Sequence, residues 1–304
     1  MVKRKLAWIG VVLLLCWLMT GAAWAVNTTD AKEPIDVNAA CTMDLNYSME
    51  GVKVKLYRVA RVSADYQYTP EGVAALSGLS LNGITSREEW DVIRQTLEAQ
   101  YVAMDAVPEA EAVSDSEGKV HFEGLTPGLY LVPSTVGSEN GFLCYFDSAL
   151  IALPNLLEDG TWNYHVTILP KGDTPDGGDL EYKVWKIWKD DNGKNRPTEI
   201  TVEIYRNDEA VKTVVLSEEN NWTYSWHAED DGSRWYVTEK DVPNGYRMLV
   251  GRLGAQFVIL NTSEEPPPPP DTGDHSNITL HIMLMNLSGL VLLVMGLTGR
   301  RKSE

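Results

Sequence analysis

The chain has few of the side chains from which metal centres and catalytic sites are usually built. Its 304 residues include three cysteines and five histidines, and none of them stands at the spacing of a metal-ligand motif. The sequence also shows no nucleophile–base–orienter set and no phosphate loop. We therefore predict that the protein is not an enzyme acting on a separate substrate, and that it uses no metal and no cofactor.

Positive charge is also scarce. The chain has 26 lysines and arginines against 43 aspartates and glutamates, which gives a formal net charge of −17. Cations are what neutralise phosphate backbones, so this balance argues against nucleic acid or an anionic membrane surface as a partner. Aromatic residues, by contrast, are plentiful, with ten tryptophans and thirteen tyrosines. Such a composition argues against a disordered stalk.

The N-terminus has the three parts of a secretory signal peptide. Three basic residues at 3–5 precede an apolar run at 6–19, and Ala23-Trp24-Ala25 follows. This order predicts a signal peptide at 1–25 with cleavage after Ala25. The alternative is a retained membrane anchor, although the apolar run is short for a membrane span.

Secretion would determine the redox environment of the two cysteines that remain after cleavage. Cys41 and Cys144 would lie in an oxidising environment, where disulfides form and persist. We expect them to pair, which would stabilise the fold by roughly 4–5 kcal/mol in the chain-entropy description. Two free thiols are the alternative.

The C-terminus combines a stiff spacer, a short polar motif and an apolar span. Prolines occupy 266–270, a mostly apolar segment runs over 278–299, and three cations follow at 300–302. A helix of about 20 residues rises about 30 Å, enough to cross the hydrocarbon core, with the cations left in the cytoplasm. A plain single-pass anchor and a cleaved lipid-anchor signal are alternatives, although the latter should not end in cations.

A resemblance to a known signal adds to this reading. The motif consists of Pro269, Pro270, Asp271, Thr272 and Gly273. With the apolar span and basic tail it resembles the sortase sorting signal of Gram-positive wall proteins, whose pattern is Leu-Pro-x-Thr-Gly. The resemblance implies that sortase cuts after Thr272 and passes it to an amine. The precursor would be held in the membrane before sorting, and the mature protein would be secreted and joined to peptidoglycan in the cell wall at the cell surface. Pro269 replaces the family's leucine, so the sortase class stays open.

Between the ends, short alternating apolar runs predict a mainly β chain. We expect two immunoglobulin-like β-sandwich domains, the first with an inserted helix that begins with a capping box of Ser86 and Glu89. The predicted organisation is a signal peptide at 1–25, an N-terminal β domain at 26–171, a Gly/Asp/Pro linker at 172–179, a second β domain at 180–263, and a polyproline spacer with sorting signal and transmembrane helix at 264–304.

In the second domain, strand alternation predicts one polar residue on each of three apolar faces. These residues are Lys183, Glu239 and Asn261. The apolar residues predicted to share their faces are Trp185, Ile187, Trp235, Val237, Phe257 and Ile259. Burial favours the neutral forms of lysine and glutamate, and a neutral amine is a nucleophile that could attack the Asn261 side-chain carbonyl.

Three stretches carry a second resemblance. Lys183-Val184-Trp185, Tyr236-Val237-Thr238-Glu239 and Ile259-Leu260-Asn261-Thr262 resemble a Cna B-type domain. This resemblance implies an autocatalytic isopeptide bond between Lys183 and Asn261, with Glu239 as the proton shuttle. The alternative is an ion pair between Lys183 and Glu239, with Asn261 as a strand-end residue.

Residues 115–122, 124–125 and 128–131 of the first domain resemble the corresponding stretch of Cna B-like and pilin N-terminal domains. The domain nevertheless departs from the isopeptide chemistry. Pro133 stands where the second domain has Glu239, and the strand at 41–47 has no lysine. We therefore expect no isopeptide bond here, and a Cys41–Cys144 disulfide would serve as the clamp instead.

The segment from Trp162 to Lys171 resembles the pilin motif Trp-x-x-x-Val-x-Val-Tyr-Pro-Lys. The resemblance implies that Lys171 of one copy attacks Thr272 of another, so that sortase builds a fibre from copies of this chain or other pilins. An ordinary solvated lysine is the alternative. The sequence thus predicts a structural pilus shaft subunit. The alternative function is a single-copy wall-anchored adhesin or pilus-base subunit with a host or matrix ligand.

Overall fold

The computed structural model describes residues 33–139, 142–189 and 196–263. The predicted signal peptide, the sorting motif with Thr272 and the C-terminal helix lie outside these residues. Over the described ranges, no helix combines the length and apolar character that a membrane span requires.

Strands dominate the described chain, so the prediction of a mainly β protein is confirmed. The elements are β1 Cys41–Asn46, β2 Lys53–Val62, β3 Tyr68–Pro70, α1 Gly72–Leu76, α2 Arg87–Ala103, β4 Ala110–Val113, β5 Lys119–Leu125, β6 Gly128–Val132, β7 Thr135–Glu139, β8 Phe142–Phe146, β9 Ala149–Leu153, β10 Asn155–Leu156, β11 Trp162–Asn163, β12 His165–Ile168, β13 Gly172–Asp173, β14 Asp179–Lys189, β15 Glu199–Arg206, β16 Glu209–Ser217, a 3₁₀ turn Glu218–Asn220, β17 Thr223–Glu229, β18 Trp235–Glu239, β19 Tyr246–Leu253 and β20 Gln256–Ser263.

The N-terminal segment, residues 33–168, is organised around a central sheet with the order β3-β2-β6-β9. Every residue of β6 is buried. Leu129 and Leu131 pack into the apolar cluster that includes residues of α2, whereas Tyr130 and Val132 pack into the cluster shared with the second sheet, β12-β1-β5. A strand covered on both faces reads as a continuous apolar run rather than as an alternating one.

Helix α2 begins at the predicted capping box. The Glu89 backbone N–H donates to Ser86 Oγ at 3.2 Å, and the Ser86 N–H donates to Glu89 Oε2 at 3.0 Å. Two of the unpaired donors at the helix start are thereby satisfied. Ile93 and Leu97, four residues apart and therefore on one face, are buried against the central sheet.

The C-terminal segment, residues 179–263, has two facing sheets. Their strand orders are β17-β14-β20-β19 and β16-β15-β18. The inner faces meet in an apolar cluster to which six strands contribute fully or almost fully buried residues, among them Val184, Val202, Ile204, Val237 and Phe257. Because successive side chains of a strand point to opposite faces, this core fixes which residues of each strand face inward.

Helix α2 contacts the C-terminal segment along β19, the last strand of its sheet. Thr96 Oγ1 accepts the backbone N–H of Val250 at 2.8 Å. Gln95 satisfies both backbone groups of Arg252, because its oxygen accepts the N–H at 2.7 Å and its amide nitrogen donates to the carbonyl at 3.2 Å. Side chains of a helix thus take the place of a neighbouring strand at this edge and cover groups that would otherwise be open to pairing.

A buried carboxylate adds to the same contact. Glu98 of α2 is 5% exposed. Its oxygens accept from the Ser134 N–H at 2.7 Å, the Ser148 hydroxyl at 2.6 Å and the Tyr236 hydroxyl at 3.2 Å. A buried carboxylate is stable only when its oxygens are paired in this way. Since Tyr236 lies in β18, the network joins the N-terminal and C-terminal segments.

We predict that Thr96→Val destabilises the protein, because it leaves the buried Val250 N–H without its acceptor. The free energy of unfolding should fall by about 1–3 kcal/mol, measured by urea denaturation followed by tryptophan fluorescence. Thr213→Val, on an exposed position of β16, is the matched control and should change stability by less than about 0.5 kcal/mol. Equal effects of the two substitutions would contradict the role given to Thr96.

Candidate functional site

A lysine, a glutamate and an asparagine meet inside the C-terminal segment. Lys186 Nζ donates to Glu239 Oε2 at 3.1 Å, and neither side chain has any exposed surface. Asn261 Nδ2 donates to the other oxygen, Glu239 Oε1, at 3.3 Å. Asn261 is itself 0% exposed. The carboxyl group therefore lies between the amine and the amide in a site closed to water.

Sheet topology explains why three residues so far apart in sequence meet. Strands β14 and β20 are parallel neighbours in which Lys186 is paired with Ile259, and Asn261 with Trp188. Lys186 and Asn261 therefore stand on adjacent strands, two residues apart in register. Glu239 comes from β18 in the facing sheet, and its side chain reaches them across the core.

The prediction that Lys183 occupies this site is wrong, because Lys183 lies on the other face of β14. Burial along the strand shows that Tyr182, Val184 and Lys186 point inward. Lys183 is only partly buried and lies over its neighbour Trp185, with its Nζ 4.9 Å from the ring centroid. Large apolar residues lie on both faces of β14. The prediction of Lys183 was wrong because Trp185 and Ile187 make its face of the strand as apolar as the inward one.

Glu239 and Asn261 are inward-facing and in contact, as the sequence predicts. Lys186 has the same parity in β14 as the inward-facing Val184, whereas Lys183 has the opposite one. The sequence alone does not select this parity, because Trp185 and Ile187 make the other face of the strand apolar as well.

Burial moves both ionisable groups of the site toward their neutral forms. Desolvation lowers the pKa of Lys186 to about 8, although Glu239 opposes the shift. Desolvation likewise raises the pKa of Glu239, against the opposing effects of Lys186 and Asn261. A pair in which both groups are driven toward neutrality exchanges a proton at low cost, and the uncharged pair consists of an amine and a carboxylic acid.

The amide of Asn261 completes an arrangement suited to acyl transfer. Its Oδ1 is buried and has no hydrogen-bond partner in the described structure. The oxygen and nitrogen of an amide are interchangeable by a half-turn of the side chain. After that turn, protonated Glu239 could donate to the Asn261 carbonyl oxygen and polarise it while the neutral amine of Lys186 attacks the carbon.

Aromatic rings close the site around Lys186. Its Nζ lies 4.2 Å from the centroid of the Trp188 ring. Trp188 is in turn contacted edge-on by Trp222 and Tyr246, at centroid distances of 5.6 and 5.0 Å. These rings keep water away from the amine, which strengthens the electrostatic effect of Glu239 on it.

Lys171, the lysine of the predicted inter-subunit linkage, is exposed. It stands between β12 and β13, and its carbonyl accepts the Asp147 N–H at 3.1 Å. The next residue, Gly172, packs so closely on β8 that a Cβ there would lie 2.8 Å from Cys144 Sγ. The predicted flexible linker at 172–179 therefore begins with a strand, β13, which pairs with β8. Its partner in the predicted linkage, Thr272, lies outside the described residues.

The predicted disulfide is not formed, because Cys41 and Cys144 are both free cysteines. They belong to different sheets: Cys41 begins β1 beside β5, whereas Cys144 lies in β8 between β7 and β13. Each sulfur contacts a local carbonyl instead, that of Ala39 and that of Tyr145. Burial raises the pKa of the Cys41 thiol to about 11, so this cysteine packs as a small apolar side chain.

The N-terminal segment has no counterpart of the buried triad in its described part. None of the lysines in 33–139 or 142–171 is buried. Pro133, which stands where the C-terminal segment has Glu239, directly follows the buried strand β6.

The C-terminal segment is similar to a known domain family. Residues 182–262 match the family model described as the Cna protein B-type domain, which confirms the predicted resemblance for this part of the chain. A collagen adhesin of Staphylococcus aureus is 36% identical over 98 residues, which is 30% of this chain. The matched part spans only 8% of the length of that adhesin.

Solved structures were matched as well. A single B repeat unit of the collagen-binding surface protein of Staphylococcus aureus aligns with 17% identity over 74% of this chain and 98% of the repeat, with a TM-score of 0.26. A mutant of the shaft pilin of Lactobacillus rhamnosus GG aligns with 14% identity over 74% of this chain and 98% of the pilin, with a TM-score of 0.27. TM-scores this low support no conclusion about the function of this chain.

Asn261→Ala removes the carbonyl that Lys186 could attack, so Lys186 stays a free amine in this variant. We predict that the free energy of unfolding of Asn261→Ala rises with pH. Between the folded pKa of about 8 and the ordinary 10.5, the unfolded lysine holds a proton that the folded one has lost. Unfolding then takes up a proton, so the free energy of unfolding increases across this window. Thermal melts of Asn261→Ala from pH 8 to 10.5 should show the rise relative to Asn261→Ala/Lys186→Met.

Asn261→Ala/Lys183→Met is the matched control, because Lys183 is the lysine on the outer face of the same strand. It should keep the rise. If instead the Lys183 variant lost the pH dependence and the Lys186 variant retained it, the assignment of Lys186 as the buried amine would be contradicted.

Proposed function

We propose, from the Cna B-type domain at residues 182–262 and its buried triad, that the protein is a structural surface subunit of a Gram-positive pilus. In this proposal the chain is secreted, and its mature part consists of two immunoglobulin-like domains at 26–171 and 180–263. The observation that carries the proposal is the closed contact of Lys186, Glu239 and Asn261. A cross-link between the first and last strands of a domain suits a protein that must resist force and protease.

The proposed cross-link joins Lys186 to Asn261. The amine nitrogen attacks the side-chain carbonyl carbon of Asn261, and the C–N bond of the original amide breaks. Glu239 transfers a proton from the attacking amine to the leaving nitrogen, which departs as ammonia. The products balance as one new amide and one ammonia, with no oxidant, metal or cofactor required. The surrounding tryptophans hold the amine in place and exclude the water that would compete with it.

We predict that the intact mass of the folded chain is lower by about 17 Da than the mass calculated from its sequence. Lys186→Ala, Glu239→Ala and Asn261→Ala should each restore the calculated mass, because each removes the nucleophile, the proton carrier or the acceptor. Lys183→Ala is the matched control and should keep the loss. Mass spectrometry of the denatured proteins, with peptide mapping of the cross-linked strands, makes the measurement. A wild-type chain at full mass would refute the cross-link.

Assembly is proposed to proceed through Lys171 and Thr272. The amine of Lys171 is exposed on a backbone held by β13 and by the Asp147 N–H, so it is accessible and is presented at a fixed point. Sortase would hold Thr272 of one copy as a thioester, and Lys171 of the next copy would displace the enzyme to form an amide. The last subunit would be passed to peptidoglycan, which leaves the fibre attached to the cell wall.

We predict that boiled wall extracts contain a ladder of rising mass on a denaturing gel probed for this protein. Lys171→Ala should collapse the ladder to the monomer, because it removes the only amine that the proposal uses. Lys240→Ala, at another exposed lysine, should leave the ladder intact. A single wall-linked band in all three strains would exclude polymerisation through Lys171.

That single band would support the second candidate function, a single-copy wall-anchored adhesin or pilus-base subunit. Two observations favour it to a lesser degree: the proline-rich spacer at 266–270, which suits a subunit fixed in the wall, and the partial match to a collagen adhesin. The 8% coverage of that adhesin carries no ligand over to this chain.

A further inference from the structure

The backbone of Glu239 has an unusual hydrogen-bond acceptor. Among the described residues, strand β18 is an edge strand of its sheet and pairs only with β15. Lys240 donates its N–H to Thr201 of β15 at 2.9 Å, so alternation along the strand directs the N–H of Glu239 the other way. There the acceptor is Met248 Sδ, at 3.4 Å. A buried N–H without an acceptor would be costly, and here a thioether satisfies it.

The same sulfur takes a second donor from β18. The hydroxyl of Thr238 donates to Met248 Sδ at 3.8 Å. Thr238, Glu239 and Met248 are 5%, 3% and 3% exposed, so water cannot replace the sulfur as acceptor. Two adjacent residues of the edge strand are thus held by one side chain of β19.

Met248 also stands next to the amide. In the antiparallel pairing of β19 with β20, Met248 and Asn261 are direct Cα partners. Directly paired residues on one face have Cβ atoms about 4.5–5.5 Å apart. The methionine therefore links the backbone of Glu239, in one sheet, to the position of Asn261, in the other. This is the gap across which the Glu239 carboxyl must reach Lys186 and Asn261.

We propose that Met248 is a positioning residue for the cross-linking reaction: its thioether holds the edge of β18 so that the Glu239 carboxyl lies between Lys186 and Asn261. The inference rests on the proposed Lys186–Asn261 bond and adds a residue to its machinery. An apolar side chain of the same volume would fill the core equally well, but it would leave the Glu239 N–H and the Thr238 hydroxyl without their acceptor.

The test measures the rate of ammonia loss in the full chain made by cell-free translation. Aliquots are quenched in denaturant at intervals, and the fraction that has lost about 17 Da is read by mass spectrometry. Met248→Leu should slow the reaction by about tenfold or more, since a displacement of about 1 Å at a reacting group costs up to 10²-fold. Met43→Leu, at a fully buried methionine of the N-terminal segment, is the matched control and should react at the wild-type rate.

A pH series separates positioning from a general loss of stability. In Met248→Leu the maximal rate should fall, while the midpoint set by deprotonation of Lys186 stays where it is in the wild type. If Met248→Leu fails to fold, Thr238→Val removes the weaker of the two donors and should slow the reaction by about threefold. Wild-type rates in Met248→Leu, or in Thr238→Val where that variant is needed, would overturn the role of Met248 and leave the cross-link standing. A wild-type chain that never loses mass would overturn both.

Discussion

The fold of the C-terminal segment is constrained by one interaction, the fully buried pair of Lys186 and Glu239. Removing one partner leaves the other ionisable group buried without its partner, which typically costs about 3–5 kcal/mol when that group is charged. The two residues come from facing sheets. The sheets must therefore meet in the register that brings these side chains together, and a slip of one residue would turn either of them to the outer face. The apolar core gives the sandwich its stability, and the pair selects its alignment.

Much of this arrangement can be predicted from the sequence, because the alternation of polar and apolar residues along a strand indicates which side chains face the core. The strands around Glu239 and Asn261 were predicted in this way, as was the capping box at Ser86, which is a local signal. The prediction of Lys183 as the buried amine was wrong for a physical reason. Trp185 and Ile187 on the outer face of β14 are partly buried, so hydrophobicity does not distinguish the two faces of this strand. Only the contacts with β18 and β20 decide between two lysines three residues apart.

The contact between α2 and β19 could not be predicted from the sequence. Gln95 and Thr96 are polar residues in a helix whose apolar stripe is elsewhere, and nothing near them in sequence indicates an edge strand more than 150 residues away. The prediction of a disulfide was wrong for a related reason. Two cysteines in a secreted chain suggest a pair, but strand order places Cys41 and Cys144 in different sheets. Long-range topology, rather than local propensity, sets both outcomes.

The parallel pairing of β14 and β20 has a mechanical consequence. The chain enters the C-terminal segment at Asp179 and leaves it after Ser263, and because the two strands run in the same direction these points lie at opposite ends of the sheet. A pull on the two ends would load all the hydrogen bonds between β14 and β20 together in shear, instead of opening them one after another. Extension would thus require the whole strand pair to give way at once, near the place where Lys186 and Asn261 stand side by side.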